Sequence, residues 1–150
     1  MAKVALIGCT SKKKDYPCPA LELYSDSALF QKEIMYANGV LKADAIYILS
    51  AKHHLVSTAA VLEPYNVTLN NQSKAKRKEW ADVTFDEIVN TFTQDDELYF
   101  LCGKKYGEML LPLLEDAGYR CYTPLGGGQS LPIGKLLSWL NVELAKGDLL

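Results

Sequence analysis

The chain is poor in the residues that usually announce a chemistry. Among its 150 residues there are two histidines and four cysteines. Cys9, Cys18, Cys102 and Cys121 form no CxxC pair, which excludes zinc-ribbon and thioredoxin-like sites. A metal held by Cys9, Cys102 and a histidine finds no support in the spacing, and no cofactor is implied. There is no GxxxxGK[ST] run and no spaced GxGxxG, so neither a Walker A loop nor a dinucleotide fingerprint is present. Long hydrophobic runs are missing too. The start, "MAKVALIGC", carries an apolar run of about six residues, too short for a signal h-region or a membrane span. The expectation is therefore a cytoplasmic protein with reduced thiols and no membrane partner. Net charge is −2, so the surface as a whole is not built to attract nucleic acid. One basic face would suffice for that, and "SKAKRK" (73–78) is a candidate. Neither repeats nor linkers nor low-complexity tracts occur, and 49% of the residues are hydrophobic. One compact domain spanning 1–150 is expected.

What is present is an alternation of strand and helix patterns. "KVALIG" (3–8), "AIYILS" (45–50) and "LYFLC" (98–102) are continuous apolar runs, as suits parallel strands buried on both faces. "YRCYTP" (119–124) alternates and suits an edge. Between them lie helical patterns. The first places Leu29, Phe30, Ile34 and Ala37 together, with Asn38 and Gly39 as its stop. The second carries Phe85, Ile88, Val89 and Phe92 on one stripe. The third groups Tyr106, Met109, Leu110, Leu113 and Leu114, with Pro112 expected to kink it or mark a break and Gly118 to end it. The last carries Leu136, Leu137, Leu140 and Leu144. The predicted fold is α/β, a single-domain three-layer sandwich around a four-stranded, mostly parallel sheet.

In such a sheet ligands bind beyond the carboxyl ends of the strands. The loops at those ends hold the unusual residues, whereas "NGVLKAD", "TQDDE" and "EDAG" at the other end read as solvated turns. After the first strand, Ser11 and Lys12 suit an anion, while Lys13 and Lys14 read as a solvated turn. "YPCPALELY" is stiffened by prolines around Cys18, itself a nucleophile, a ligand or a buried small residue. Tyr16 and Tyr24 are candidate aromatic walls for a stacked base, unless Tyr24 packs under the next helix. After the second strand come Ser50, Lys52, His53 and His54. On an extended segment neighbouring side chains point oppositely, so one histidine at most is expected to face a pocket as general acid or base. Glu63 follows, a carboxylate for activating water or a surface charge before Pro64. Tyr65, Asn66 and Asn70 are polar groups of the same loop. Gly103 and Tyr106 follow the third strand. "LGGGQS", with Gly127, Gly128 and Gln129, allows a close backbone approach to a ligand.

The segments "CTSKKK", "YPCPALELYS", "LSAKHHLV", "LEPYNVTLN" and "LCGKKY" resemble a family of small uncharacterised bacterial and phage proteins over nearly the whole chain. That group is similar to a reduced uracil-DNA-glycosylase-like fold, a four-stranded parallel sheet flanked by helices. Such a fold carries an acidic loop after its first strand, where this chain has Asp15, Tyr16 and Pro17. It carries a histidine loop near its end, where this chain has Gln129 and Ser130. A second resemblance is to the catalytic segment of archaeosine synthase, PC-xxx-KPY-xx-S-xx-H, matched here by Pro17, Cys18, Tyr24 and Ser27. Glu22, Leu23 and Phe30 replace that pattern's lysine, proline and histidine. What these resemblances imply is a pocket for a modified nucleobase, in DNA modification, repair or phage–host conflict.

The expected function is an enzyme, a glycosylase-like hydrolase or base-modifying transferase, acting at the N-glycosidic bond of a base in nucleic acid, DNA before RNA. Asp15, Glu63, His53 and His54 are its candidate catalytic residues. Ser11, Lys12, Tyr16, Cys18, Tyr24, Ser25, Ser27, Ser50, Lys52, Tyr65, Asn66, Asn70, Gly103, Tyr106, Gly127, Gly128 and Gln129 are its candidate binding residues. The alternatives are a non-catalytic nucleotide-binding module and a hydrolase or transferase of free nucleosides.

Overall fold

The computed structural model describes residues 1–124 and 133–148. In chain order the elements are β1 (Lys3–Gly8), β2 (Cys18–Pro19), α1 (Ala20–Leu23), α2 (Ala28–Gly39), β3 (Ala45–Ser50), β4 (His54–Ser57) and β5 (Val61–Leu62). A 3-10 turn (Leu69–Asn71) then leads into α3 (Lys74–Thr91), β6 (Glu97–Leu101), α4 (Lys104–Gly107), α5 (Leu110–Asp116), β7 (Arg120–Tyr122) and α6 (Ile133–Asp148). The main sheet has five strands in the order β4-β3-β1-β6-β7. β1 lies at its centre, parallel to β3 and β6, and β7 is parallel to β6 at the edge. The alternating "YRCYTP" run is thus an edge strand, as its pattern predicts. The fifth strand, β4, corrects the expected count: it pairs antiparallel with β3, matching Ser50 with His54 and Leu49 with Leu55. Separately, β2 and β5 form a two-stranded ribbon that matches Cys18 with Leu62.

Alternation along the strands divides the core between two faces. Ala5, Ile7, Ile48 and Leu101 pack with Phe30 and Ala37 of α2 and Leu140 of α6. Val4, Leu6, Leu49, Leu98 and Phe100 pack with Trp80 and Ile88 of α3 and Leu110 and Leu114 of α5. Each fully buried Val, Leu, Ile or Phe among them contributes roughly 1.5–3 kcal/mol over its exposed state. At the carboxyl end of β1 a side chain would be crowded. A Cβ on Gly8 would stand 3.0 Å from that of Cys102 and 3.2 Å from its Cα. Gly8 therefore lets β1 and β6 converge where the site lies.

Several helices differ from their predicted patterns. α3 starts at Lys74, capped by Ser73, whose Oγ accepts the Lys76 N–H at 3.2 Å. The basic run 73–78 is thus the opening of a helix. Its buried residues are Trp80, Ala81, Thr84 and Ile88, while Val89 is exposed. The third pattern breaks into α4 and α5 at Glu108 and Met109, ahead of Pro112. Pro112 falls in the first turn of α5, where its missing N–H lacks no intrahelical partner. Gly118 ends α5 at φ +88°, as predicted. On α2 the buried set is Phe30, Glu33, Tyr36 and Ala37, so a carboxylate stands where only apolar residues were expected. Leu140 is buried and Leu144 packs against the core, but Leu136 and Leu137 lie outside the described side chains.

Candidate functional site

The carboxyl ends of β1, β3 and β6 deliver Cys9, Ser50 and Cys102 to one rim. Ser50 is fully buried, and its Oγ accepts the backbone N–H groups of Lys52 at 3.3 Å and His53 at 3.0 Å. With both lone pairs engaged, its own proton is left to donate to Tyr65 Oη, 2.8 Å away. The Tyr65 and Tyr24 hydroxyls share a short hydrogen bond in turn. Ser50, Tyr65 and Tyr24 thus form one continuous hydroxyl chain. Trp80 anchors it by donating its indole N–H to the Ser50 carbonyl at 2.8 Å.

Cys9 occupies the other half of the rim. Its Sγ accepts the Ala51 N–H at 3.4 Å and lies 3.2 Å from Tyr106 Oη. Tyr106 is held edge-on against the Trp80 ring, with centroids 5.5 Å apart. Lys13 reaches over the cluster and places its ammonium 4.5 Å from the Tyr65 ring centre. The His53 ring meets Tyr65 edge-to-face at 5.4 Å.

Burial governs the protonation of these groups. It pushes the Tyr24 phenol up to about 12. Burial first, and then neighbouring Cys9, push Tyr65 and Tyr106 up as well, so all three phenols hold their protons at neutral pH. Lys13 is drawn down by burial, with Cys9 opposing the shift. Beneath the rim, Glu33 is 3% exposed and its carboxyl is raised well above the usual range by desolvation. The Cys102 thiol is raised by burial and then by Glu33.

The predicted residues separate into three groups. Ser50, His53, Tyr65 and Tyr106 are in the cluster. Tyr24 is there too, but fully buried, packed 5.4 Å from Phe30 and contributing only its hydroxyl. It is no open wall for a base, because its ring is buried in the core cluster with Phe30, Cys18 and Leu62. A second group does local structural work. Ser27 caps α2 through the Phe30 N–H at 3.2 Å, and Ser25 Oγ donates to the Glu22 carbonyl at 2.6 Å. Cys18 is buried in the β2–β5 ribbon, and Gly103 precedes α4 as its N-cap. Tyr16 is exposed and donates to Glu22 at 3.0 Å. The third group, Ser11, Lys12, Asp15, Lys52, Glu63, Asn66 and Asn70, is exposed in the segments that follow β1, β3 and β5. Gly127, Gly128 and Gln129 lie outside the described residues.

The two histidines do part company, but by another route than strand alternation. Residues 51–53 form a turn, and His54 has φ +65°, which sends His53 to Tyr65 and His54 toward α3. Residues that pattern reading undervalued are Cys9, Lys13 and Glu33. The position of Cys9 directly after β1 was the available signal. For Glu33 there was none, since a charge within a helix normally faces water.

Among the described residues, no three His, Cys, Asp or Glu side chains are grouped to hold a metal ion, and no helix is long and apolar enough to cross a membrane. No curated protein and no solved structure matches the chain. Residues 4–142 match the sequence model of a family of unknown function, DUF6884. That match takes in all of the sheet but Lys3 and every member of the Cys9–Tyr106 and Ser50–Tyr65–Tyr24 cluster, and the chain belongs to this family.

Proposed function

We propose that the protein is an enzyme that acts on a nucleobase-bearing substrate at or near its N-glycosidic bond, with a glycosylase-like arrangement of sheet and rim. The observation that carries this reading is the convergence of a thiol, three protonated phenols, a serine and a half-buried lysine at the carboxyl ends of parallel strands. When the C1′–N bond breaks, the nitrogen keeps the electron pair and the base departs as an anion. Water adds to C1′, and its proton ends on the base. Phenolic O–H groups and an ammonium suit that developing negative charge, because they are oriented before the bond breaks. Asp15 and Glu63 are exposed carboxylates beside Lys13 and Tyr65 in the chain, and they supply the proton acceptor for the water.

The test is mass spectrometry of nucleosides and nucleic acids incubated with the protein. A released base or a changed base mass supports the reading. Saturable binding of nucleotides with every substrate mass unchanged assigns the chain to non-catalytic binding instead.

A further inference from the structure

A groove of about 420 Å³ opens beside the cluster, between the turn after β3 and the first half of α3. Leu69 and Trp80 contribute to its apolar floor, and His54, Lys76 and Glu79 stand along it. This volume falls within the range of small-ligand pockets, roughly 300–1,000 Å³, and suits one nucleotide.

The groove shares a wall with the reacting cluster. Ala51 lines the groove while its N–H holds Cys9 Sγ. Trp80 lines it while its indole holds the Ser50 carbonyl and its ring meets Tyr106. A substrate with its reacting part at Cys9 and Tyr65 therefore has the groove immediately beside it.

Charge identifies the occupant. Along the opening of α3, Lys78 pairs with Asp82 at 2.6 Å. Arg77 Nε lies 3.2 Å from Glu108 Oε1, an ion pair without hydrogen-bond alignment. Lys74 and Lys76 form no ion pair among the described residues. Lys76 thus offers a cation held in no ion pair at the groove, and Glu79, one turn on, offers an acceptor. An apolar floor, one cation and one acceptor suit a flanking nucleotide, with its phosphate at Lys76 and an exocyclic amine toward Glu79. His54 adds to the case, since its φ of +65° is uncommon for a residue with a side chain and sits directly on the groove.

We infer that the substrate is a base within a polynucleotide strand, and that the groove between β4 and α3 holds the nucleotide next to the target. This rests on the nucleobase reading above and names its substrate class. A free nucleoside would leave the groove empty. A strand would fill both sites, and the flanking contact would help to hold a target extruded from its neighbours.

Fluorescence anisotropy with a fluorescein-labelled single-stranded DNA 12-mer tests this, with an RNA of the same sequence and nucleoside 5′-monophosphates as competitors. The Lys76→Glu variant is compared with Lys32→Glu, a charge reversal on α2. Both lysines lie on helix surfaces, and circular dichroism confirms the fold. Lys76→Glu is expected to weaken binding about tenfold or more and to reduce the salt slope by roughly 0.7, the single-strand value for one lost phosphate contact. Lys32→Glu is expected to leave both unchanged. Equal weakening by the two reversals would overturn the groove's role. So would base release from free nucleosides at a rate that oligonucleotides never reach, an outcome that leaves the nucleobase reading standing. Binding of the 12-mer through Lys76 with no base altered in any substrate would keep the groove and overturn the enzyme reading. Stronger competition by the RNA would identify the strand as RNA within the same proposal.

Discussion

The hydroxyl of Ser50 stands 2.8 Å from the phenol of Tyr65 and also receives the backbone N–H groups of Lys52 and His53. Ser50 therefore shapes the turn after β3 and orients the hydroxyl cluster at once. Ser50→Ala would leave two backbone donors without their acceptor, at a cost of about 1–3 kcal/mol. Tyr65→Phe keeps the ring that meets His53 but takes the shared partner from the buried Ser50 and Tyr24 hydroxyls, also at about 1–3 kcal/mol. Loss of an oriented donor to a developing anion typically lowers kcat by about 10²–10³. Thermal melts should fall for both variants, while Tyr65→Phe should lose far more turnover than its loss of stability explains at temperatures where it is folded.

Cys9 should be the thiol that reacts first in the folded protein. Cys18 and Cys102 are buried, and burial pushes the Cys121 thiol up to about 12. Cys9 is partly exposed and carries the Ala51 N–H at its sulfur. Timed alkylation with iodoacetamide, followed by peptide mapping, should label Cys9 ahead of the other three. Preferential labelling of Cys121 would contradict the described packing.

Glu33 predicts a pH dependence of stability. Desolvation disfavours its ionised form, so its folded pKa lies above the unfolded value. Below about pH 4.3 the carboxyl is protonated in both states and costs nothing. As pH rises from there through the folded pKa, its contribution to stability is progressively lost. Glu33→Gln should therefore raise Tm at pH 7 and above, by about 3 °C for each 1 kcal/mol. The advantage should vanish near pH 4. A variant less stable than the parent at pH 7 would show that the ionised carboxylate is needed.

Two backbone positions should respond in opposite directions. Gly8→Ala would drive a Cβ to 3.0 Å from Cys102 Cβ and cost about 1–3 kcal/mol. His54→Gly relieves the left-handed strain at φ +65°, a gain of up to about 1 kcal/mol that the extra freedom of the unfolded chain partly offsets. Chemical denaturation of both variants measures the contrast.

The three inner strands were legible because parallel strands buried on both faces must be apolar throughout, as in "VALI" and "YILS". The edge strand β7 was legible from its alternation. β4 was not, because its pairing with β3 depends on a turn through His53 and a left-handed His54, which no apolar pattern encodes. The rim itself followed from strand order, and Ser50, Tyr65 and Tyr106 were placed there from the loops that carry them. Their partners were harder to see. Cys9 and Lys13 resemble a buried thiol and a solvated lysine until Ala51 and Tyr65 close around them. Tyr24 has the type and position of a stacking ring, yet the packing of Phe30 and the β2–β5 ribbon decides that only its hydroxyl serves the site.

The central claim is that the rim around Cys9, Ser50 and Tyr65 is a reacting centre for a nucleobase-bearing substrate. Incubation of the parent protein and of Tyr65→Phe with nucleosides and with DNA and RNA oligonucleotides, read by mass spectrometry, tests it most directly. The account predicts a free or altered base with the parent protein and its loss with Tyr65→Phe, while circular dichroism shows both proteins folded at the assay temperature. An unchanged mass for every substrate with the parent protein, or equal turnover by the two proteins, would contradict it.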